Sequence, residues 1–92
     1  MIRSIRHKGL KRLYEKANAK SLSAELVPKV ERILARLDVA TGPEMMSLPG
    51  YRLHPLRGDL QGCWSVWVTG NWRIVFRLEG GDVFDVDLID YH

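Results

Sequence analysis

The sequence of 92 residues is poor in cysteine and has no long apolar run. Its one cysteine, Cys63, excludes an internal disulfide and favours a reduced, cytoplasmic setting. No apolar run is long enough to span a bilayer, so we expect no membrane partner. The basic start of the chain is not followed by an apolar segment, so we expect no signal peptide. Since 92 residues are too few for two hydrophobic cores, we expect one domain, 1–92.

Acidic residues are scarce in the first part of the chain. Residues 1–37 hold ten Lys or Arg and three Glu, whereas residues 38–92 hold four Arg and eight acids. The two parts therefore carry +7 and −4, which sum to the net charge of +3. A basic part of this kind indicates a polyanionic partner such as nucleic acid, although basic helix faces in contact with water explain the charge equally well.

Apolar residues at helical spacing predict two amphipathic helices. The first covers residues 8–16. The second follows an N-cap at Ser23, tolerates a proline in its first turn and runs to about Ala40. The polar sides of these helices carry six basic residues, Lys8, Lys11, Arg12, Lys29, Arg32 and Arg36.

Alternation of apolar and polar residues predicts strands in the rest of the chain. A short edge strand is expected at residues 2–6, and the main strands at about residues 51–56, 63–68, 72–78 and 83–89. We therefore expect an α+β fold in which two N-terminal helices pack on one face of a small, mainly antiparallel sheet.

Three-residue hairpin loops, 69–71 and 80–82, would place apolar side chains opposite one another across the strands. They pair Val68 with Trp72, Val66 with Ile74 and Trp64 with Phe76, and then Leu78 with Phe84, Phe76 with Val86 and Ile74 with Leu88.

The face of the sheet away from the helices should carry Arg73 opposite Trp67, and Arg77 opposite Asp85. The second pair explains both of its charges structurally. A guanidinium held over Trp67 by a cation–π contact could bind a phosphate with its planar set of donors. A surface cation–π pair without function is the alternative for Arg73.

The same face gathers groups that fit the chemistry of RNA cleavage. A base with a pKa near neutral takes the proton of a ribose 2′-hydroxyl, a cation stabilises the phosphorane, and an acid protonates the leaving oxygen. Trp67 offers a surface on which an unpaired base could stack. Neither cofactor nor metal is needed, and the histidines lack the spacing of a zinc site. The candidate catalytic residues are His54, Arg73, Asp90, Tyr91 and His92.

Five short segments, spread over nearly the whole chain, are informative as a set. They are Leu-Asp-Val-Ala-Thr at 37–41, Arg-Leu-His-Pro-Leu-Arg-Gly-Asp at 52–59, Trp-Ser-Val at 64–66, Asn-Trp-Arg-Ile-Val-Phe at 71–76 and Asp-Tyr-His at 90–92. Together they resemble the HigB-type branch of the RelE/ParE toxin superfamily. The resemblance implies a RelE-like microbial RNase toxin fold and a toxin of a type II toxin–antitoxin system.

It further implies an mRNA endoribonuclease that acts at the A site of the translating 70S ribosome and so inhibits translation. The expected partners are the ribosome, mRNA and a cognate HigA-type antitoxin, a helix-turn-helix protein through which alone the toxin would meet operator DNA. Two alternatives are a ParE-like toxin that inhibits DNA gyrase without nuclease chemistry, and a non-catalytic RNA-binding module.

The resemblance also implies roles for single residues. His54, Asp90 and His92 would transfer protons, with either histidine as the base. Arg73 would hold the scissile phosphate, and Tyr91 would stack on the nucleotide or orient it. The basic helices would dock on ribosomal RNA, a salt-sensitive contact. The branch often has lysine where this chain has Arg57, and arginine keeps the charge without acting as a base. Substrate-binding roles fall to Arg57, Trp67 and Asn71.

Overall fold

The structure is a computed structural model that describes residues 1–90. Its first helix, α1, is Lys8–Lys16, as predicted. The ring of His7 caps this helix because its Nδ1 accepts hydrogen bonds from the amides of Gly9 (3.1 Å) and Leu10 (3.2 Å). The helix ends at Ala17, whose φ of 53° lies in the left-handed region.

The second helix, α2, is Val27–Val39 and begins later than predicted. The predicted N-cap at Ser23 is wrong, since Ser23 lies in a turn and its carbonyl accepts a hydrogen bond from the Leu26 amide at 2.9 Å. Leu26 is the N-cap and makes no side-chain hydrogen bond. Pro28 occupies the first turn, where the missing amide breaks no helical hydrogen bond.

Four strands form one antiparallel sheet in the order β1-β2-β3-β4. They are β1 (His54–Pro55), β2 (Cys63–Thr69), β3 (Trp72–Glu79) and β4 (Asp82–Asp90). The predicted strand 51–56 is reduced to two residues, because Arg52 has a φ of 49° that interrupts the extended backbone. Short 3-10 helices, Pro43–Met46 and Gly58–Leu60, lie in the connections.

The start of the chain runs beside β4. Ile2 and Ile5 form isolated parallel bridges with Val83 and Val86, in place of the predicted edge strand. The segment is fastened to α2 as well, since Asp38 accepts a hydrogen bond from the Ile2 amide at 3.0 Å. The Tyr14 hydroxyl of α1 donates to the same carboxylate oxygen at 2.7 Å. Asp38 therefore joins both helices to the outer edge of the sheet.

Both predicted hairpin loops are one residue too long. Thr69 pairs with Trp72 and Glu79 with Asp82, so the loops are Gly70–Asn71 and Gly80–Gly81. The predicted pairing of Val68 with Trp72 is therefore wrong. A bulge at Val68 restores the register, which is why the predicted pairs of Trp64 with Phe76 and Val66 with Ile74 are confirmed.

A second bulge lies in β4 at Asp85, whose φ is 56°. It places Val83 opposite Leu78 and turns Phe84 to the other face, opposite Arg77. Phe84 was predicted in the core opposite Leu78; instead it is half-buried, with its ring centroid 4.9 Å from the Arg77 guanidinium. Beyond the bulge the predicted pairing of Ile74 with Leu88 is confirmed.

The core lies between the two helices and one face of the sheet. Phe76 on the central strand β3 is fully buried. The same is true of Leu10, Ile33, Leu37, Val66, Ile74, Val83 and Val86. The other face of β2 and β3 is thereby left for polar side chains. Within residues 1–90, no helix is long and apolar enough to cross a membrane.

Candidate active site

A small pocket opens on the face of the sheet away from the helices. It has a volume of about 160 Å³ and is lined by His54, Leu56, Ser65 and Arg73. The pairing of β1 with β2 sets His54 opposite Ser65. One cation and one imidazole, both predicted from the sequence, therefore share this pocket.

Arg73 is half-buried on β3, between Trp67 on β2 and Ile89 on β4, as the predicted register required. Its Nη1 lies 3.4 Å from the hydroxyl oxygen of Ser65, a long hydrogen bond. Ser65 itself is only 1% exposed, which makes the hydroxyl a fixed acceptor on the floor of the pocket. A guanidinium held in this way faces solvent from a rigid strand and suits a phosphate oxygen.

Ser65 is a pocket residue that sequence reasoning missed. The alternation along β2 places it on the open face with Cys63 and Trp67, and it is the smallest of the three. A small polar residue between two larger ones on that face was the available signal, because it leaves room for a pocket.

His54 is exposed and lies on the two-residue edge strand. Pro55 follows it and has no amide hydrogen to donate, so the outer side of this edge does not pair further. The imidazole is thus accessible to water and to a substrate at the mouth of the pocket. Both properties suit a group that exchanges protons.

Asp90 is the last residue of β4 and is exposed. It pairs with Trp72, one residue before Arg73. Since directly paired residues share a face and neighbours alternate, Asp90 and Arg73 start from opposite faces at this end of the sheet. Tyr91 and His92 lie outside the described residues, and their roles stay predictions.

Two of the predicted substrate-binding residues flank the pocket in the chain. Arg57 is exposed, directly follows the pocket residue Leu56 and is the N-cap of the helix Gly58–Leu60. Asn71 is exposed in the turn that leads into β3 and lies two residues before Arg73. Both positions are accessible to a polynucleotide strand.

The third, Trp67, has surroundings that differ from the prediction. The cations over its ring are Lys29 Nζ and the Arg52 guanidinium, each 4.3 Å from the centroid, so the prediction of Arg73 as that cation is wrong. The left-handed backbone of Arg52 brings its side chain here, which periodicity could not reveal. The indole nitrogen of Trp67 donates to the Gly70 carbonyl at 2.9 Å.

The predicted basic face of the helices is present. Lys8, Lys11 and Arg12 on α1 are exposed, and so are Arg32 and Arg36 on α2. Lys29 is half-buried, and its Nζ donates to the Gly50 carbonyl at 2.9 Å. Burial, together with the charges of Arg32 and Arg52, lowers the pKa of Lys29.

Two acidic groups of β4, Asp82 and Asp85, form ion pairs within the molecule. Asp82 contacts the N-terminal ammonium and Arg3, and Asp85 contacts Arg6 at 3.6 Å. The predicted ion pair of Arg77 with Asp85 is confirmed at 3.4 Å, but the prediction that the two residues lie directly opposite is wrong, since Phe84 is opposite Arg77. These contacts place the acids of the open face on its β4 side. In residues 1–90 no group of three or more acidic, His or Cys side chains could hold a metal ion.

Comparison with known proteins gives three findings. A family model described as the RelE-like toxin of type II toxin–antitoxin system HigB matches residues 3–92. The chain is 41% identical over 92 residues to the endoribonuclease HigB of Proteus vulgaris, and the match covers all of both chains. The crystal structure of a YafQ mutant from E. coli superposes with a TM-score of 0.60 at 18% identity, covering 95% of this chain and 87% of the other.

Proposed function

The chain belongs to the family of HigB-like, RelE-like toxins of type II toxin–antitoxin systems, and on that basis we propose that it is an endoribonuclease that cuts mRNA on the ribosome. The name of its Proteus vulgaris relative supports the nuclease activity. The observation that carries the proposal is the pocket that sets His54 beside Arg73.

The proposed reaction is attack of a ribose 2′-oxygen on the adjacent phosphorus. A base, His54 or His92, takes the proton of the 2′-hydroxyl while the new O2′–P bond forms. The P–O5′ bond breaks, and an acid returns a proton to the leaving O5′, which gives a cyclic phosphate and a 5′-hydroxyl end. Asp90 is the further candidate for this proton transfer, although its position in β4 starts from the face opposite Arg73. Tyr91 is the candidate for holding the nucleotide.

Arg73 supplies the positive charge that the phosphorane requires. Its planar guanidinium presents paired donors to two phosphate oxygens, so no metal ion is needed for that stabilisation. The Ser65 hydroxyl holds the guanidinium from below. Arg57 and Asn71 contact the strand on either side of the pocket.

The ribosome would supply what this small site lacks. An open pocket of about 160 Å³ does not enclose an RNA strand, so a partner that fixes the strand for in-line attack would contribute greatly to the rate. Lys8, Lys11, Arg12, Arg32 and Arg36 are exposed and would dock on ribosomal RNA in the cytoplasm. A HigA-type antitoxin is the partner proposed to hold the toxin inactive.

The test is primer extension on a reporter mRNA after brief expression of the chain in bacterial cells. We expect new 5′ ends that follow the reading frame and vanish when translation is blocked. Arg73→Ala should reduce cleavage by about 10²–10³-fold, the usual effect of removing one donor to a developing anion. His54→Ala and His92→Ala test the two candidate bases.

Arg77→Ala is the matched control, because Arg77 lies on the same strand and face as Arg73 but pairs with Asp85 and Glu79. It should cut normally. Intact mRNA with growth arrest would refute the nuclease and favour a ParE-like gyrase inhibitor. Intact mRNA with normal growth would favour an RNA-binding module.

A further inference from the structure

Two cations meet on one aromatic ring at the β1 side of the pocket. Lys29 Nζ and the Arg52 guanidinium each lie 4.3 Å from the centroid of Trp67, so they are no further apart than twice that distance. Lys29 Nζ is also 5.5 Å from the ring of Tyr51. Like charges this close repel each other, and the contacts must hold them together.

Several bonds fix this arrangement, which we call the Trp67 cation pair. The Trp67 ring is held by the hydrogen bond of its indole to Gly70, and its backbone amide donates to the Tyr51 carbonyl at 2.6 Å. Lys29 is held by the Gly50 carbonyl. Arg52 keeps its place although its φ of 49° is unfavourable for any side chain with a Cβ. Strain of this kind is typical of functional sites.

The Trp67 cation pair carries N–H donors of the kind that bind a phosphate. A phosphate that contacts both side chains would reduce their mutual repulsion and use donors from both. The cation–π contacts leave the charges intact, because a ring face attracts a cation without neutralising it. Cations placed over Trp67 also compete for the ring surface that a stacked base would need.

The position of the pair relative to Arg73 points to one ligand. Trp67 and Arg73 are direct partners across β2 and β3, so the pair lies next to the proposed catalytic cation. On the β4 side of Arg73, further along the strand, the open face carries Asp85 and Asp87 together with Arg6. The ion pairs of Arg6 and Arg77 with Asp85 occupy the cations on that side, so an RNA strand bound at Arg73 finds its next cations at Trp67.

We propose that Lys29 and Arg52, oriented by Trp67, bind the phosphodiester of a nucleotide next to the one that is cut. Trp67 then serves to position two cations rather than to stack a base. This inference rests on the proposed function for the identity of the strand, and it adds a second contact that sets how the RNA enters.

The test uses the full chain and a fluorescent, uncleavable 2′-O-methyl hexanucleotide, with affinity measured over a range of salt concentrations. Lys29→Ala and Arg52→Gly should each weaken binding several-fold, and the double variant should reduce the salt slope by about 0.7, the value for one phosphate contact on a single strand. Arg52→Gly is the safer variant, since glycine adopts this φ without strain.

Trp67→Leu and Trp67→Phe separate positioning from stacking and packing. Leucine keeps both cations but loses the ring, so binding should weaken although the charge is unchanged. Phenylalanine keeps a ring face and should restore part of the affinity. Lys20→Ala, which removes an exposed lysine of the loop between the helices, is the control for charge and should bind as the parent does.

Oligonucleotide binding that is unchanged in Lys29→Ala and Arg52→Gly would overturn the proposal. Weaker binding of both variants to ribosomes without mRNA, with oligonucleotide binding unchanged, would also overturn it and would assign the pair to ribosomal RNA instead. A different result would refute the proposed nuclease activity. In that case Arg73→Ala would cleave like the parent in the primer-extension assay, whatever the Trp67 cation pair binds.

Discussion

Tyr14→Phe removes one oxygen atom from the network that fastens the start of the chain. The Tyr14 hydroxyl donates at 2.7 Å to Asp38, whose same oxygen accepts from the Ile2 amide. The pKa of Asp38 lies below its usual range, mainly because of the hydrogen bond from the Ile2 amide and secondly because of the hydrogen bond from the Tyr14 hydroxyl. The pKa of Tyr14 is raised to about 12, mainly by its hydrogen bond to Asp38 and secondly by burial.

The expected loss of stability is about 1.5 kcal/mol. Hydrogen bonds to charged groups contribute about 1.5–3 kcal/mol, and this pair is half-exposed, which favours the lower end. The rise in the pKa of Tyr14 corresponds to at most about 2.7 kcal/mol before solvent screening is allowed for. This upper limit is consistent with an expected loss of about 1.5 kcal/mol. For a domain of this size the change lowers Tm by about 6–12 °C.

Urea unfolding of the full chain, followed by circular dichroism at several pH values, measures this. Because the folded pKa of Tyr14 is raised, its contribution is complete below about pH 10 and is lost as the pH rises toward 12. The difference between the parent and Tyr14→Phe should therefore shrink over that range. Asp38 has a lowered pKa, so its contribution is complete above about pH 4 and is lost in acid.

The matched control is Tyr51→Phe, which removes the same atom from a buried ring. The Tyr51 hydroxyl has no hydrogen-bond partner within residues 1–90, so this variant should be within about 0.5 kcal/mol of the parent. Equal stability of Tyr14→Phe and the parent at pH 7 would refute the network. A difference that persists unchanged to pH 12 would refute the titration argument.

Two further predictions concern backbone and core. Arg52→Gly should be more stable than Arg52→Ala by about 1 kcal/mol in urea unfolding, because both lack the guanidinium and only alanine is strained at this φ; equal values would remove the strain argument. Phe76→Ala should lose about 3–5 kcal/mol, whereas Phe84→Ala should lose only about 1 kcal/mol, since the bulge at Asp85 turns Phe84 out of the core; equal losses would contradict the bulge.

The sequence predicted the elements whose patterns repeat. The α1 helix, the pairing of Val66 with Ile74 and the open-face position of Arg73 all follow from periods that extend over many residues. The short hairpin loops did not follow, because each loop and its nearby bulge change the register by compensating amounts. Only the local backbone of Val68 and Asp85 distinguishes a two-residue loop with a bulge from a three-residue loop without one.

The pocket could be predicted in part for a similar reason. Alternation placed His54 and Arg73 on one face, and the structure brings them to one pocket. The contact of Arg52 with Trp67 could not be predicted, because it depends on a left-handed backbone at one residue. Ser65 was missed because one small residue in a strand carries almost no pattern of its own.

The bridges between Ile2 and Val83 and between Ile5 and Val86 bear on how the toxin is made. Ser4 and Asp85, which bond beside them, are 81 positions apart. During synthesis the first residues cannot form these bridges until β4 has been made. The sheet and its core are therefore complete only when nearly all of the chain has left the ribosome. Delayed maturation of this kind would keep the toxin inactive while its own message is still being translated.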